Sequence, residues 1–377
     1  MNTPVYVPIF RLRQQEKGVL ITFDFGKDIF PYVEIFKAQP QKAAVPRASD
    51  RTSAKPLKPF HQIYLPILQA INSERIFVDL PVHLVRSRNM PEPVIEFMLS
   101  VVEKRAVRTE RMLSLSSCKK IIPVISTYAH IGDGEKQSIL LQEADLRPEF
   151  DSIAYRTSGN SIISDIAQIR TVAKPQDFLF IDLGELCLSD PDDIDEALYI
   201  TGKIKDFNIC SVIIINSPIA HTLSNSKLEH AQRISGISNI LMDSFEGFYA
   251  QCFADYAGVK KDLVEEGGGI SPGLIFYDAI GNDFYGYRGR TWKKDEKRHL
   301  DDIKHKILKD LLISDIVTHM NGSHLEYLGS GNRGWKMVND MWDENEAWRS
   351  QAKLKRISME HYLYCIRTKL NAGYFNR

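Results

Sequence analysis

The residues that could do chemistry are carboxylates and arginines set at the ends of apolar runs. Glu34 interrupts Ile29–Phe36, Asp79 falls near the end of Arg75–Leu80, and Asp182 closes Asp177-Phe-Leu-Phe-Ile-Asp, with Glu185 three residues on. Arg11 and Arg13 follow the run Val5–Phe10, Arg156 follows Asp151–Tyr155, and Asn216 ends Ile209–Asn216. Carboxylates brought together can share general acid and base roles or hold a divalent cation through oxygen. Arginines beside them can grip a phosphate or carboxylate with two parallel hydrogen bonds. An anionic, phosphate-bearing or nucleotide-like ligand is the substrate class that fits both. The plainer reading of the same residues is internal neutralisation, Glu34 against Arg156 or Asp182 against Arg11.

Position decides between these readings, and the order of elements supplies it. Apolar β runs alternate with helical stretches at His61–Asn72, Pro91–Arg111, Glu135–Leu146, Ser164–Val172 and Asp192–Phe207. This alternation implies a parallel sheet, either closed into a barrel or open and doubly wound. A strand count near eight, and the lack of a glycine-rich phosphate loop after the first strand, favour a TIM-like (β/α)8 barrel. In such barrels the C-terminal strand ends gather at one rim, where active sites are built. After the seventh strand the pattern weakens past a helical stretch near Leu228–Arg233, and Ile240–Phe245 and Cys252–Tyr256 compete for the eighth place.

The barrel is expected over residues 1–266, with a proline-rich basic surface insertion at 38–60. From 267 a C-terminal extension follows. Gly273–Ile280 and Phe284–Arg290 flank Gly281-Asn-Asp as a β-hairpin. Helices are expected over Lys294–Val317 and Ser358–Leu370, with a glycine-rich loop at Gly329–Gly334 between them.

Composition bounds the remaining classes. Lys+Arg and Asp+Glu are equal at 48 each, so no global field points to nucleic acid or membrane. The charge is uneven, however: the middle of the chain is acidic and both ends are basic. The five cysteines include no CxxC, which argues against a disulfide framework or a zinc site and fits a reducing compartment, so the cytoplasm is the default. No apolar run approaches the roughly 20 residues of a membrane span. No metal site is expected, and no cofactor is indicated.

Other motifs are weaker. Ser189 and Ser217 lack a nucleophile-elbow context, and no HExxH run exists. His361 lies on an apolar helix face and reads as a core histidine. Arg288 and Arg290, interleaved with Tyr285, Tyr287 and Trp292, mix basic and aromatic groups as single-strand nucleic-acid surfaces do, although a hairpin packed on the barrel explains them more simply.

Several short motifs resemble the beta-protein family of bacterial and phage proteins. They are Tyr6-Val-Pro-Ile-Phe10 followed by a basic residue and Glu16, the Glu34 strand, Phe253-Ala-Asp-Tyr-Ala257, Ile275-Phe-Tyr277, Tyr287-Arg-Gly-Arg290 and the Glu360-His361 helix. The resemblance implies a barrel with C-terminal additions and a part in anti-phage defence, but no established reaction. It makes Cys252–Tyr256 the eighth strand and adds Asp255 and Tyr256 to the rim. Glu34, Asp182 and Asp255 then stand as the catalytic candidates, with Arg11, Arg13, Asp79, Arg156, Glu185, Asn216, Tyr256, Arg288 and Arg290 as ligand-binding ones. Glu360 stands where the family commonly has a second histidine, which weakens a His-pair site. The alternative is a scaffold or sensor subunit that binds a partner effector protein of a defence operon through its C-terminal region. Self-association into a homo-oligomer is compatible with either reading.

Overall fold

In the computed structural model, the described residues are 3–38, 58–82, 90–127, 137–237, 239–261, 271–292, 299–343 and 349–375. Eight parallel strands close into a barrel: β1 (Tyr6–Arg11), β2 (Tyr32–Glu34), β3 (Ile76–Asp79), β4 (Ile121–Ser126), β5 (Ala154–Ser158), β6 (Phe178–Asp182), β7 (Ser211–Ile215) and β9 (Cys252–Asp255). Closure is made by β9, which pairs with β7 (Ile214 opposite Phe253) and with β1 (Val7 opposite Ala254). Between β7 and β9 the chain makes the two-residue strand β8 (Gln232–Arg233) and the helix Ile240–Ser244.

Side chains alternate across each strand, so the period of two sorts residues into an inner and an outer set. The inner set includes Val7, Ile9, Tyr32, Phe77, Phe180, Ile213 and Ala254. Phe77 meets Phe178 and Phe180 edge-on at ring-centroid distances of 5.1 and 4.9 Å, and Tyr32 meets Phe180 at 5.2 Å. Small residues such as Ala154 and Ala254 on other strands make room for this aromatic plug. The outer set faces the helices and forms the largest core cluster.

A second, antiparallel sheet has the order β10 (Gly273–Asp278), β11 (Asp283–Arg288), β8. The helix Gln351–Asn371, capped by the Ser350 hydroxyl, lies across β10 and the helix Gln14–Leu20. Its buried positions Leu354, Ile357, Ser358, His361, Tyr362 and Cys365 recur at three- and four-residue spacing. An ion pair of Lys355 with Glu16 fastens its first turns to the N-terminal helix.

Four local expectations are corrected. The helix expected over 91–111 is two, Glu92–Glu103 and Arg105–Leu113, because Lys104 adopts an extended backbone (φ −130, ψ 94). Residues near Leu228–Arg233 are not helical, since Gln232 and Arg233 pair with β11. Residues 294–298 of the helix expected over 294–317 lie outside the described residues; the rest is helical over His299–Leu312, with a π turn at Ile303–Leu308, breaks there, and restarts at Asp315 behind a Ser314 cap. The Gly329–Gly334 loop ends early: Arg333 and Gly334 open the helix Arg333–Asp343, and Gly334 lets it approach the C-terminal helix backbone. Most of the 38–60 insertion and the 266/267 boundary lie outside the described residues.

Two features of the C-terminal helix generate tests. Gly258 has φ +70, and a Cβ there would lie 2.4 Å from Cγ of Tyr362. Gly26 has φ +64 with nothing within 4 Å. Gly258→Ala is therefore expected to cost about 3 kcal/mol or more, and Gly26→Ala only the left-handed backbone strain of about 1–2 kcal/mol. Urea denaturation of both variants checks the ordering.

His361 is fully buried. Its Nδ1 accepts from the Asn332 amide at 2.8 Å, its Nε2 donates to the Tyr277 carbonyl at 2.9 Å, and its ring stacks on Phe276 at 4.0 Å. Burial pushes its pKa down to about 4, against the pull of the Tyr277 carbonyl. A depressed folded value means this stability is complete above the unfolded pKa of about 6.5 and is lost as pH falls toward 4. The loss is about 3 kcal/mol. Denaturation between pH 7.5 and 4 is expected to show a shallower stability loss in His361→Gln than in the native chain. Equal slopes would refute a neutral buried imidazole.

Candidate site at the barrel mouth

On five of the eight strands the last inward-facing residue is charged where those below it are apolar, whereas β7 ends inward on Ile215. Arg11 on β1, Glu34 on β2, Asp79 on β3, Arg156 on β5 and Asp182 on β6 converge there. Register places Arg11 opposite Glu34 and Glu34 opposite Asp79 on adjacent strands. Tyr256 follows β9 on its inward face.

Arg156 is the centre of the group. Its guanidinium donates to Glu34 Oε1 at 2.9 Å, to Asp182 Oδ2 at 2.6 and 3.2 Å, and to the Tyr32 hydroxyl at 3.1 Å, and it lies 3.6 Å from Asp79 Oδ2. Arg11 Nε takes the other Glu34 oxygen at 2.8 Å. Asp79 also accepts from Tyr32 at 2.9 Å and from Arg108 at 3.3 Å. Arg108 comes from the helix Arg105–Leu113 and reaches inward past the Val124 carbonyl. Glu34 and Asp79 are wholly buried. Burial works against the charge on Arg156, but Tyr32, Asp182, Tyr256 and Glu34 hold its pKa well above the ordinary arginine value.

At the solvent side of this layer lie Tyr256 and Lys261. The Tyr256 hydroxyl is 3.5 Å from Glu34 Oε1, and the Arg11 guanidinium and Lys261 ammonium lie 5.8 and 5.6 Å from its ring centre. Burial raises the Tyr256 pKa, and Glu34 adds to this. Burial pulls the Lys261 pKa down, and Tyr256, Asp182 and Glu34 more than reverse it, leaving it raised. Lys261 has no carboxylate within ion-pair distance among the described residues. Among the described residues, four cations (Arg11, Arg108, Arg156, Lys261) thus face three carboxylates (Glu34, Asp79, Asp182).

Other candidates sit elsewhere. Asp255 is on the opposite face of β9 from Tyr256: it points out of the barrel, accepting from Tyr6 at 2.6 Å, Tyr362 at 2.5 Å and the Ala257 amide at 2.7 Å. Burial pushes its carboxyl up to about 6, against the pull of those donors. It ties the C-terminal helix to the barrel rather than joining the mouth. Asn216 clamps the Leu186 backbone through both its amide atoms, and Glu185 pairs with His221. Arg13 begins the Gln14–Leu20 helix with its guanidinium 5.8 Å from the Phe36 ring centre. Arg288 and Arg290 are on the antiparallel sheet side, their backbones bonded to His230 and Asp302. Sequence reasoning missed Tyr32, Arg108, Lys261 and His221. Tyr32 was readable, being two residues before Glu34 and so on the same strand face, whereas the other three carry no strand pattern.

Among the described residues, no three His, Cys, Asp or Glu side chains are placed to hold a metal ion. No helix among them is long and apolar enough to cross a membrane. An open hollow of about 810 Å³, lined by Arg105, Thr109, Glu110, Leu113 and Asp145, lies outside the barrel between helices and is separate from the mouth.

Fold and mouth together define a (β/α)8 barrel whose C-terminal face is closed by a buried arginine–carboxylate cluster. Within that class the chain belongs to the Beta protein family, whose sequence pattern matches residues 6–367, nearly its whole length. No curated protein matches it, and no solved structure does.

Breaking a buried ion cluster by removing one member strands the others in a medium that solvates them poorly. Arg156→Gln is expected to destabilise the protein by about 3–5 kcal/mol, whereas Arg13→Gln, at a half-exposed position, should cost under about 1 kcal/mol. Parallel guanidinium titrations measure both. Comparable losses would show that Arg156 does not hold the cluster together.

Proposed function

We propose that this chain is a component of bacterial anti-phage defence and that its barrel mouth binds an anionic, phosphate-bearing ligand, a nucleotide or a nucleic-acid strand. The observation that carries the ligand reading is the Lys261 ammonium over Tyr256, without an ion-pair partner among the described residues, above a cluster in which cations outnumber carboxylates. A charge in a half-buried site that no described carboxylate pairs is available to a ligand anion, and the guanidinium groups below it are fixed in advance by Glu34 and Asp182. Family membership supports the defence role.

A second reading has its own observation. Each mouth carboxylate is already engaged by an arginine or a tyrosine, as a non-catalytic scaffold would have it. In that case a partner effector protein binds through the C-terminal region.

Calorimetric titration of the full chain with ATP and with a short single-stranded oligonucleotide separates the two. Lys261→Ala is expected to weaken binding about tenfold, with the thermal midpoint within about 1 °C of the native value. Protection of bacteria against phage plaquing should fall in the same variant. Unchanged affinity for both ligands would sink the ligand reading. Undiminished protection, with co-purification of a partner protein, would favour the scaffold.

A further inference from the structure

The loops that follow β6 and β7 carry a Glu–His pair that the cluster at the mouth does not use. They are built as one rigid unit. Leu183 N donates to the Ile215 carbonyl at 2.8 Å, Ser217 N donates to the Gly184 carbonyl at 2.8 Å, and Asn216 bonds both backbone groups of Leu186 at 3.0 Å. Gly184, at φ +77, turns the chain so that Glu185 follows Asp182 by three residues. Both Glu185 oxygens are then taken by one residue: the His221 backbone amide reaches Oε1 at 3.1 Å, and His221 Nδ1 reaches Oε2 at 2.6 Å.

This grip fixes a tautomer. A carboxylate only accepts, so the imidazole proton sits on Nδ1, and neutral His221 presents the lone pair of Nε2 outward. Nε2 has no partner among the described residues, and the side chain is 41% exposed. Histidines elsewhere contrast with it. His230 uses Nε2 on Asp310 and Nδ1 on the Arg288 amide, and His361 spends both nitrogens in the core. An oriented imidazole with one nitrogen left open, beyond the C-terminal ends of two barrel strands, has the geometry of a general base.

We infer that His221, positioned by Glu185, is the proton-transferring residue of a phosphoester hydrolase whose mouth cations hold the substrate phosphate. The inference rests on the anion-binding reading above. In the reaction Nε2 takes a proton from water as the water oxygen bonds to phosphorus. The bond from phosphorus to the leaving oxygen breaks, and the imidazolium returns its proton to that oxygen. Lys261, without an ion-pair partner among the described residues, faces the charge on the remaining phosphate oxygens, and Arg156 and Arg11, held by Glu34 and Asp182, add positive potential from beneath. Water is the only co-reactant.

The test uses the full-length chain with bis(p-nitrophenyl) phosphate and p-nitrophenyl phosphate between pH 5 and 9. Native protein is expected to release p-nitrophenolate from at least one ester, with an acid limb in kcat/KM. His221→Gln should lower kcat about 10²–10³-fold, abolish that limb and leave KM within about twofold. Glu185→Gln should lower kcat less and shift the limb, as a positioning residue does, and thermal melts of both variants should match the native chain. Inorganic phosphate titrated by calorimetry runs alongside. Phosphate binding without ester hydrolysis overturns the inference and leaves the anion site standing. Absence of both overturns the two together. Hydrolysis that is undiminished in His221→Gln overturns the assignment of the base.

Discussion

Arg156 cannot be buried alone. Taking a guanidinium out of water costs several kcal/mol even after relaxation, and the barrel interior beneath it is aromatic and aliphatic. The cost is offset only when Glu34, Asp182, Asp79 and the Tyr32 hydroxyl arrive together, and these come from three other strands. The ion cluster therefore acts as a registration device. A one-residue slip of β2 or β3 would turn Glu34 or Asp79 to the outer face and strand the arginine. Such clusters add little net stability over a well-packed apolar layer, so what this one contributes is the choice of a single arrangement.

The alternation of strand faces lets consecutive residues serve unrelated purposes. On β9 and its exit, Ala254 and Tyr256 face the interior while Phe253 and Asp255 face outward to the helices. Tyr6 does the same for β1: its hydroxyl and that of Tyr362 meet on Asp255 from two ends of the chain. The mouth and the attachment of the C-terminal helix are thus two sides of one wall, and the short run Phe-Ala-Asp-Tyr-Ala serves both.

This also marks where sequence reasoning reached and where it stopped. The barrel was legible because its strands are short runs of Ile, Val and Phe separated by helical spacing, and because Val212–Ile215 is apolar without interruption. Glu34, Asp79, Arg156 and Asp182 were legible because a charge at the end of such a run must face either a partner or solvent. Asp255 satisfies the same rule by facing a different partner. Position along the strand is written in the sequence, but which side of the sheet a terminal residue takes depends on register, and register here is set by β1 and β7. Arg108 and His221 were invisible for a simpler reason: each reaches its carboxylate from a helix or a loop, where no periodicity announces it.

The fastening of the last helix has a consequence for how the protein comes into being. Glu16 is held by Lys355, Thr22 by Arg356 and Glu360, and Tyr6 meets Tyr362 on Asp255. The strand Tyr6–Arg11 therefore lacks this cover until about 350 further residues have been synthesised, a delay of roughly 20–70 s at cellular translation rates. During that interval Tyr6 lacks Tyr362, and the helix Gln14–Leu20 lacks the helix Gln351–Asn371 that packs on it. A chain cut short of the helix Gln351–Asn371 therefore leaves that side of the barrel uncovered.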